Sequence, residues 1–506
     1  MTLFRSGIIV AFFTLLSRIF GLLRELFVAS LFGTSNVADC VNVAFKLPNL
    51  FRRIFGEGAL STVFIPIFNE KILISGTQAK KFTGQVFILL FITLVIITLL
   101  MQIFMPSLMV IIAPGFYQDP SKFKLTVQLT RITMPYLIFI SITALFGGIL
   151  NSKKRFAAFS ATPIIMSLCV IIFTWVFQGK CPASFAISYA LVIAGALQVL
   201  FMLYCLFKAD ALFPINARII FNQDVKRFLS NLGPAVLSSG AQQLNLFISQ
   251  SIASFLPGVV SILTYADRIY QFPLSMIGVT YATILLPELS KVYKTNDHFL
   301  VRKIQTKAVK SSLFLSLPAA FGIAILSQPI IHIIYERGAF DALSTFKTAI
   351  TISIFALGLP AFVLTRILLP IFYANHDTKT PFAITLRVIL LNIVSNIILI
   401  SSLAHGGIAL GSSLAAWYNV WLLYSRAKKN YGFALESGVK EFCLKTIFCT
   451  ILMSIVIIFI YYFFGDYYYN AGSITKIFSL LFTIIIGSIV FFISSIYFNL
   501  HKILMS

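Results

Sequence analysis

The chain has 506 residues, of which 59% are hydrophobic and 11% charged, with a formal net charge of +23 at pH 7. Soluble globular proteins carry about 25% charged residues, so a soluble fold is excluded. Apolar runs of bilayer-spanning length recur from end to end, with no hydrophilic domain between them. The composition describes an all-α polytopic membrane protein, and its surplus positive charge has to be weighed against membrane topology before nucleic acid is considered.

A spanning window of about 19 residues gives about fourteen segments. In chain order they are 8–33, 38–67, 86–112, 125–150, 157–178, 184–207, 230–256, 259–289, 309–335, 344–373, 381–403, 406–425, 442–464 and 475–499. The first contains Arg18, Arg24 and Glu25. It lacks the uninterrupted apolar core and small-residue cleavage site of a signal peptide, so it is read as retained. With the N-terminus inside, the inward loops collect Lys71, Lys80, Lys81, Lys153, Lys154, Arg155, Lys208, Arg218, Lys226 and Arg227. Further along they collect Lys291, Lys294, Arg302, Lys303, Lys307, Lys310, Lys379, Arg426, Lys428, Lys429 and Lys440. The outward loops hold only Lys122, Lys124, Lys180 and Arg337, with Lys347 at a helix edge. This is the positive-inside bias. It places both termini in the cytoplasm and accounts for most of the charge without nucleic acid.

Two short stretches recur. Phe27-Val-Ala-Ser-Leu-Phe-Gly33 is echoed by Ser251-Ile-Ala-Ser-Phe-Leu-Pro-Gly258, and Ser61-Thr-Val-Phe-Ile-Pro66 by Ala282-Thr-Ile-Leu-Leu-Pro287. In both cases the segment number shifts by six, so the copies enter the membrane in the same sense. Parallel repeats of this kind build two-lobed transporters with the binding site between the lobes. The reading is an N-terminal lobe over 1–208, a C-terminal lobe over 222–427, and two appended segments over 440–506.

Ionisable residues inside the segments are concentrated in three of them: Arg18, Arg24 and Glu25 in the first, Lys46, Arg52, Arg53 and Glu57 in the second, and Asp267 and Arg268 in the eighth. Each charge at a helix centre costs about 2.5–3.5 kcal/mol, so most of the set should face a hydrated cavity. Pairing is the competing reading. Arg53 and Glu57 lie one turn apart, Arg18 and Glu25 share a face, and Asp267 can serve Arg268. Pairing does not absorb the whole set, because the cations outnumber the acids even with Asp39 counted at the outer end of the second segment. A net-positive cavity suits an anion, and arginine's planar fork holds phosphate oxygens in pairs. Pro48, Gly56 and Gly58, and again Pro273 and Gly278, offer bend points in the same segments. Arg131, Arg366 and Arg387 are isolated and are read as snorkelling or locally paired. The six cysteines show no C-x-x-C spacing and the five histidines do not cluster, so neither a metal nor a cofactor is expected.

Ser17-Arg-Ile-Phe-Gly-Leu-Leu-Arg-Glu25 and Ala44-Phe-Lys-Leu-Pro-Asn-Leu-Phe-Arg-Arg-Ile-Phe-Gly-Glu-Gly-Ala59 resemble the MurJ (MviN) family of lipid II flippases. So do Phe64-Ile-Pro-Ile67, Ala113-Pro-Gly-Phe116, Tyr265-Ala-Asp-Arg268 with Phe272-Pro273, Ile284-Leu-Leu-Pro287 and Lys379-Thr-Pro381, which follow in order over roughly the first 380 residues. The resemblance implies the multidrug/oligosaccharidyl-lipid/polysaccharide exporter fold, in the bacterial cytoplasmic membrane. It implies flipping of undecaprenyl-pyrophosphoryl-disaccharide-pentapeptide to the outer leaflet for peptidoglycan assembly. Carried over, Arg24, Arg52 and Arg268 hold the pyrophosphate, and Arg18, Asn49, Glu25 and Glu57 support headgroup contacts or gating. Arg53, Asp267 and Gln271 lie in the same gate region, Asp39 sits at the outer gate, and the last two segments form a groove for the lipid tail. Gln271 stands where some relatives carry an acid. Some relatives also use an acid of the seventh segment to bind sodium, but none occurs between Asn231 and Leu256. Membrane potential acting on the cavity charges is therefore the expected energy source. Expected partners are lipid II, membrane lipids and the peptidoglycan synthesis machinery. The alternatives are an exporter of another polyprenyl-linked oligosaccharide or of drugs, a polyprenyl-phosphate enzyme, and a scaffold. A cation exporter would want an acidic cavity, such an enzyme closely spaced carboxylates, and a scaffold would not carry the cost of the buried arginines.

Overall fold

The computed structural model of the chain describes residues 3–51, 60–214, 222–294, 297–375 and 377–505, and among them only helices and connecting turns occur. Packing divides the chain into two compact units, Met1–Gly258 and Val259–Ser506. Nine of the described spans are long and apolar enough to cross a membrane.

The first unit contains α1 (Leu3–Phe32), α2 (Asn36–Phe51), α3 (Leu60–Ile74), α4 (Gly76–Ile103), α5 (Met105–Ile112), α6 (Pro120–Thr133), α7 (Tyr136–Ser152), α8 (Ala157–Val176), α9 (Ala183–Lys208) and α10 (Gln223–Ala253). Two expected segments are broken. The third divides at Phe104, where Pro106 can only occupy the first turn of a new helix, and the fourth divides at Met134–Pro135. Asp119 caps α6 by accepting the Ser121 and Lys122 amides, ahead of Pro120 in the first turn. Cys40, Val41 and Ala44 of α2 meet Leu129, Val170, Ile187 and Ala190 of α6, α8 and α9 in one buried cluster. Thr133 Oγ1 donates to Ala44 O at 2.9 Å, which satisfies a hydroxyl that lipid would not. The helix that opens the second repeat, α10, packs within this unit, against α3, α4 and α5.

The second unit contains α11 (Val259–Leu274), a π-turn over Ser275–Val279, α12 (Thr280–Lys294), α13 (His298–Ile325), α14 (Ser327–Tyr335), α15 (Ala342–Ala374), α16 (Lys379–Tyr431), α17 (Val439–Phe463), α18 (Gly465–Tyr469), α19 (Ser473–Tyr497) and α20 (Lys502–Met505). The long α16 is two helices joined at Ala404, whose φ of 47° and ψ of −123° break the helical run. Gly407 lies so close to the Leu399 carbonyl that a Cβ would come within 2.2 Å, so only glycine lets the two arms meet there. Segments 11 and 12 of the sequence reading correspond to these arms.

α19 is fixed from two sides. Gly487 admits Ile457 and Met453 of α17 where a side chain would collide, within a core that also holds Phe314, Tyr468 and Phe491. Lys476 contacts His332 Nε2 at 3.0 Å, His332 Nδ1 lies 2.9 Å from Glu336, and Thr345 Oγ1 donates to the same carboxylate at 2.6 Å. Lys476 is thus tied to α14 and α15 through polar groups drawn from three helices.

Asp341 precedes α15 and accepts the Ser344 amide at 2.8 Å. Hydrogen bonds from the Ser344 hydroxyl and amide hold the Asp341 carboxyl below its usual range. A depressed carboxyl pKa stabilises the fold above the unfolded-state value, and this contribution disappears as pH falls through the folded value. Asp341→Ala should therefore cost about 1 kcal/mol at neutral pH. It should lower the melting temperature in detergent, with the gap from the parent closing as the pH is taken below the carboxylate range.

Candidate functional site

The charged residues of the first unit lie on α1 and α2. Arg18 is exposed, Arg24 half-buried and Glu25 buried. Arg18 and Glu25 share a face of α1 at seven-residue spacing. Gly21 lies between them, and a Cβ there would meet nothing within 4 Å, so this face opens onto free space. Arg24 Nη1 reaches Met166 Sδ of α8 at 3.7 Å. That sulfur also accepts the Tyr136 hydroxyl at 3.5 Å, and below it Gln198 Nε2 donates to Thr162 O at 2.8 Å. The sulfur is a soft, weak acceptor for the guanidinium.

On α2, Lys46 is exposed and Asn49 half-buried, on either side of the buried Pro48. Arg52, Arg53 and Glu57 lie outside the described residues. In the second unit α11 carries Asp267, half-buried, and Arg268, exposed. Gln271 Nε2 donates to Asp267 Oδ2 one turn away. A carboxylate in place of Gln271 would repel Asp267, whereas the amide satisfies it. Pro273 and the π-turn follow directly, so these polar groups end at an irregular stretch of helix.

Asp39 stands apart. It is ten residues before Asn49 on α2, about 15 Å along the axis, and it is fully buried. Its Oδ2 lies 2.8 Å from Lys122 Nζ and accepts the Gly258 amide, also at 2.8 Å. Lys122, 6% exposed, donates in addition to Asn36 Oδ1 at 3.0 Å and lies 4.1 Å from the centre of the Phe116 ring. Asp119 holds the start of this helix, and the Ser121 hydroxyl keeps its carboxyl below the usual range.

The described site residues thus fall into three places: the open face of α1 with the end of α2, the Asp267–Gln271 turn of α11, and the buried Asp39 node. Lys122, Asn36, Gly258 and Met166 were not singled out. Lys122 was counted as an outward loop charge, and nothing in its neighbourhood of the sequence marks it as buried. Arg131 is locally paired as expected: its Nε donates to Gln102 O at 3.2 Å while Gln102 Nε2 donates to Arg131 O at 2.7 Å. Arg366 packs its stem near Gly278, and Arg387 is exposed. Among the described residues no group of three or more His, Cys, Asp or Glu side chains is placed to hold a metal.

Residues 28–492 match the family model described as "Lipid II flippase MurJ". The chain belongs to the MurJ family. A relative from Rickettsia prowazekii (strain Madrid E), described as a "Probable lipid II flippase MurJ", is 59% identical over 495 residues, covering 97% of each chain. The "Lipid II flippase MurJ" of Burkholderia cenocepacia is 33% identical, covering 90% of this chain and 89% of its own. The solved structure of a lipid II flippase MurJ in an inward closed conformation matches with a TM-score of 0.82 at 27% identity, over 99% of this chain and all of that one. An inward-facing multidrug transporter of the MATE family shares the fold, with a TM-score of 0.69 at 16% identity, over 86% of this chain and 99% of its own. The chain is accordingly a multi-pass membrane protein of a transporter family, not of an enzyme family.

Gly258 has a φ of +77°, and a Cβ there would come within 2.4 Å of the Thr34 carbonyl. Gly258→Ala meets both the left-handed strain and a backbone collision. It should destabilise the protein by at least about 2 kcal/mol, read as a lower melting temperature by size-exclusion fluorescence. Gly21→Ala, on the open face of α1 in a helix interior, should leave that temperature the same or slightly higher.

Proposed function

We propose that this chain flips lipid II from the inner to the outer leaflet of the bacterial cytoplasmic membrane, holding the pyrophosphate on Arg24, Arg52 and Arg268. The observation that carries the reading is the cationic surplus of Arg18, Arg24, Lys46 and Arg268 on α1, α2 and α11, in a chain of the lipid II flippase family. Arg18 and Arg268 are exposed side chains on helices that the apolar sequence commits to a bilayer, which suits a water-filled path. Arg24 is half-buried, with the Met166 thioether among its contacts. An undecaprenyl-linked diphosphate brings the complementary anion, and guanidinium forks bind its oxygens without losing their proton when desolvated.

The mechanism is alternating access. With both termini in the cytoplasm, the cavity takes up the headgroup from inside and the pyrophosphate neutralises the arginines. The two repeats, 1–208 and 222–427, then rock to release the headgroup outside. Glu25, Asn49, Arg53, Glu57 and the Asp267–Gln271 turn support headgroup contacts and gating, and Asp39 serves the outer gate. The helices of 440–506 offer the groove for the undecaprenyl tail. Membrane potential acts on the cavity charges, and the peptidoglycan synthesis machinery consumes the product.

The test uses bacterial cells depleted of their own flippase and measures lipid II exposed on the outer leaflet. The parent chain should restore exposure. Arg24→Ala, Arg52→Ala and Arg268→Ala should each lower it at least about tenfold, the loss of one charge-assisted contact or more, at unchanged membrane abundance. Arg131→Ala, whose partner is the local Gln102, should stay within about twofold. Exposure restored equally by all of the cavity variants would overturn the arginine role. A different polyprenyl-linked sugar accumulating in place of lipid II would redirect the substrate.

A further inference from the structure

We propose that Lys122 is the positioning residue of a latch: its ammonium holds the Asp39 carboxylate in the one orientation that grips the Gly258 amide, and so keeps shut the corner through which the chain leaves the first unit. The inference deepens the transport reading, because a transporter has to open and close each end of its path.

The pair is unusual in its burial. Asp39 is fully buried and Lys122 is 6% exposed, at a place where a carboxylate without a counter-charge would be several kcal/mol too costly to keep dry. The lysine, in turn, is held independently of the corner. Asn36 Oδ1 accepts one of its protons, the Phe116 ring faces it, and the Cys40 thiol donates to its carbonyl at 3.5 Å. The Asp39–Lys122 pair therefore acts as a fixed receptor, and Gly258, attached through its amide, is the part able to leave.

Around the corner the cross-contacts are close backbone approaches and hydroxyl hydrogen bonds. Ser254 Oγ accepts the Gly115 amide at 2.9 Å, and Ser251 Oγ donates to Ile112 O at 2.9 Å. A Cβ on Gly115 would come within 2.3 Å of the Phe255 amide nitrogen. The end of α10 thus meets the 112–116 turn through backbone and small hydroxyls, a polar contact that water can replace at modest cost. What makes closure favourable at this spot is a preformed carboxylate aimed at the Gly258 N–H, and Lys122 aims it.

The experiment uses the full-length protein in detergent, with Cys169, Cys181, Cys205, Cys443 and Cys449 replaced by serine and Ser254→Cys introduced. Ser254 is buried under the corner. Native Cys40 belongs to the α2–α6–α8–α9 core and reports unfolding instead. Labelling of both thiols by a hydrophilic maleimide is followed by mass spectrometry. Lys122→Met should speed labelling at position 254 at least about tenfold while Cys40 stays protected, and Lys122→Arg should fall between the two. Adding Asp39→Asn to Lys122→Met removes the charged acceptor as well as its lysine, so labelling should stay at least as fast as in the single variant, whereas relief of a stranded buried charge alone would return it toward the parent rate. Unchanged labelling in Lys122→Met, exposure of Cys40 together with position 254, or a double variant returned to the parent rate would each overturn the latch. Should the methionine variant not fold, Lys122→Gln carries the same comparison. Thiol labelling is read without substrate, so a failed lipid II assay leaves the latch standing, and a failed latch leaves the lipid II reading standing.

Discussion

An ionisable side chain in hydrocarbon must be answered, by a partner, by water or by a ligand, and much of this molecule follows from how its charges meet that demand. Three solutions occur side by side. Asp39 and Lys122 answer each other within 2.8 Å in a dry site. Arg131 is answered by the backbone carbonyl of Gln102, which accepts from its guanidinium, at the cost of staying at the surface. The cations of α1 and α11 take a third course. Arg24 touches a sulfur among its contacts, and Arg268 keeps an exposed side chain.

The difference between the first and third solutions has a functional sense. A fully compensated pair is indifferent to substrate but sensitive to geometry, because its energy collapses when either partner is displaced. An arginine with an exposed guanidinium is the reverse: it tolerates movement of its helix and gains when an anion arrives. A carrier needs both kinds, one to define which end is closed and one to sense occupancy. The irregular backbone beside the second kind, Pro48 in α2 and the π-turn after Pro273 in α11, lets those helices change shape without stranding amides in lipid.

Most of the fold was legible because apolar run length is a strong signal and turn chemistry marks its interruptions. The boundary between segments 11 and 12, at residues 403–406, coincides with the reversal at Ala404, where His405-Gly-Gly407 follows a continuous apolar run. The divisions at Phe104 and Pro135 were missed because a bilayer-length apolar run looks the same whether or not a proline resets the helix within it. The cationic surplus was legible from counting alone, since no arrangement of so few acids could balance it. The partner of Asp39 was not. Lys122 lies 83 residues away, and a lysine close to Pro120 and the loop reads as a solvated charge until the fold carries α6 against α2. Gln271 was read as the loss of an acid, yet its amide does what an acid could not do beside Asp267.

The parallel repeat sharpens this contrast. Gly33 and Gly258 are equivalent in the two copies, and both adopt positive φ, 55° and 77°. The first copy ends its helix there and turns into α2, which carries Asp39, while the second turns at Gly258 and offers its amide to that same Asp39. A turn inherited twice thus serves as a connection in one copy and as a ligand in the other. The acid that distinguishes them sits one helical turn after Ser35, on a helix whose N-terminus concentrates positive potential. Lys122 lies 2.8 Å from the same Asp39 oxygen that accepts the Gly258 N–H, so the hydrogen bond at this corner shares the strength of the ion pair.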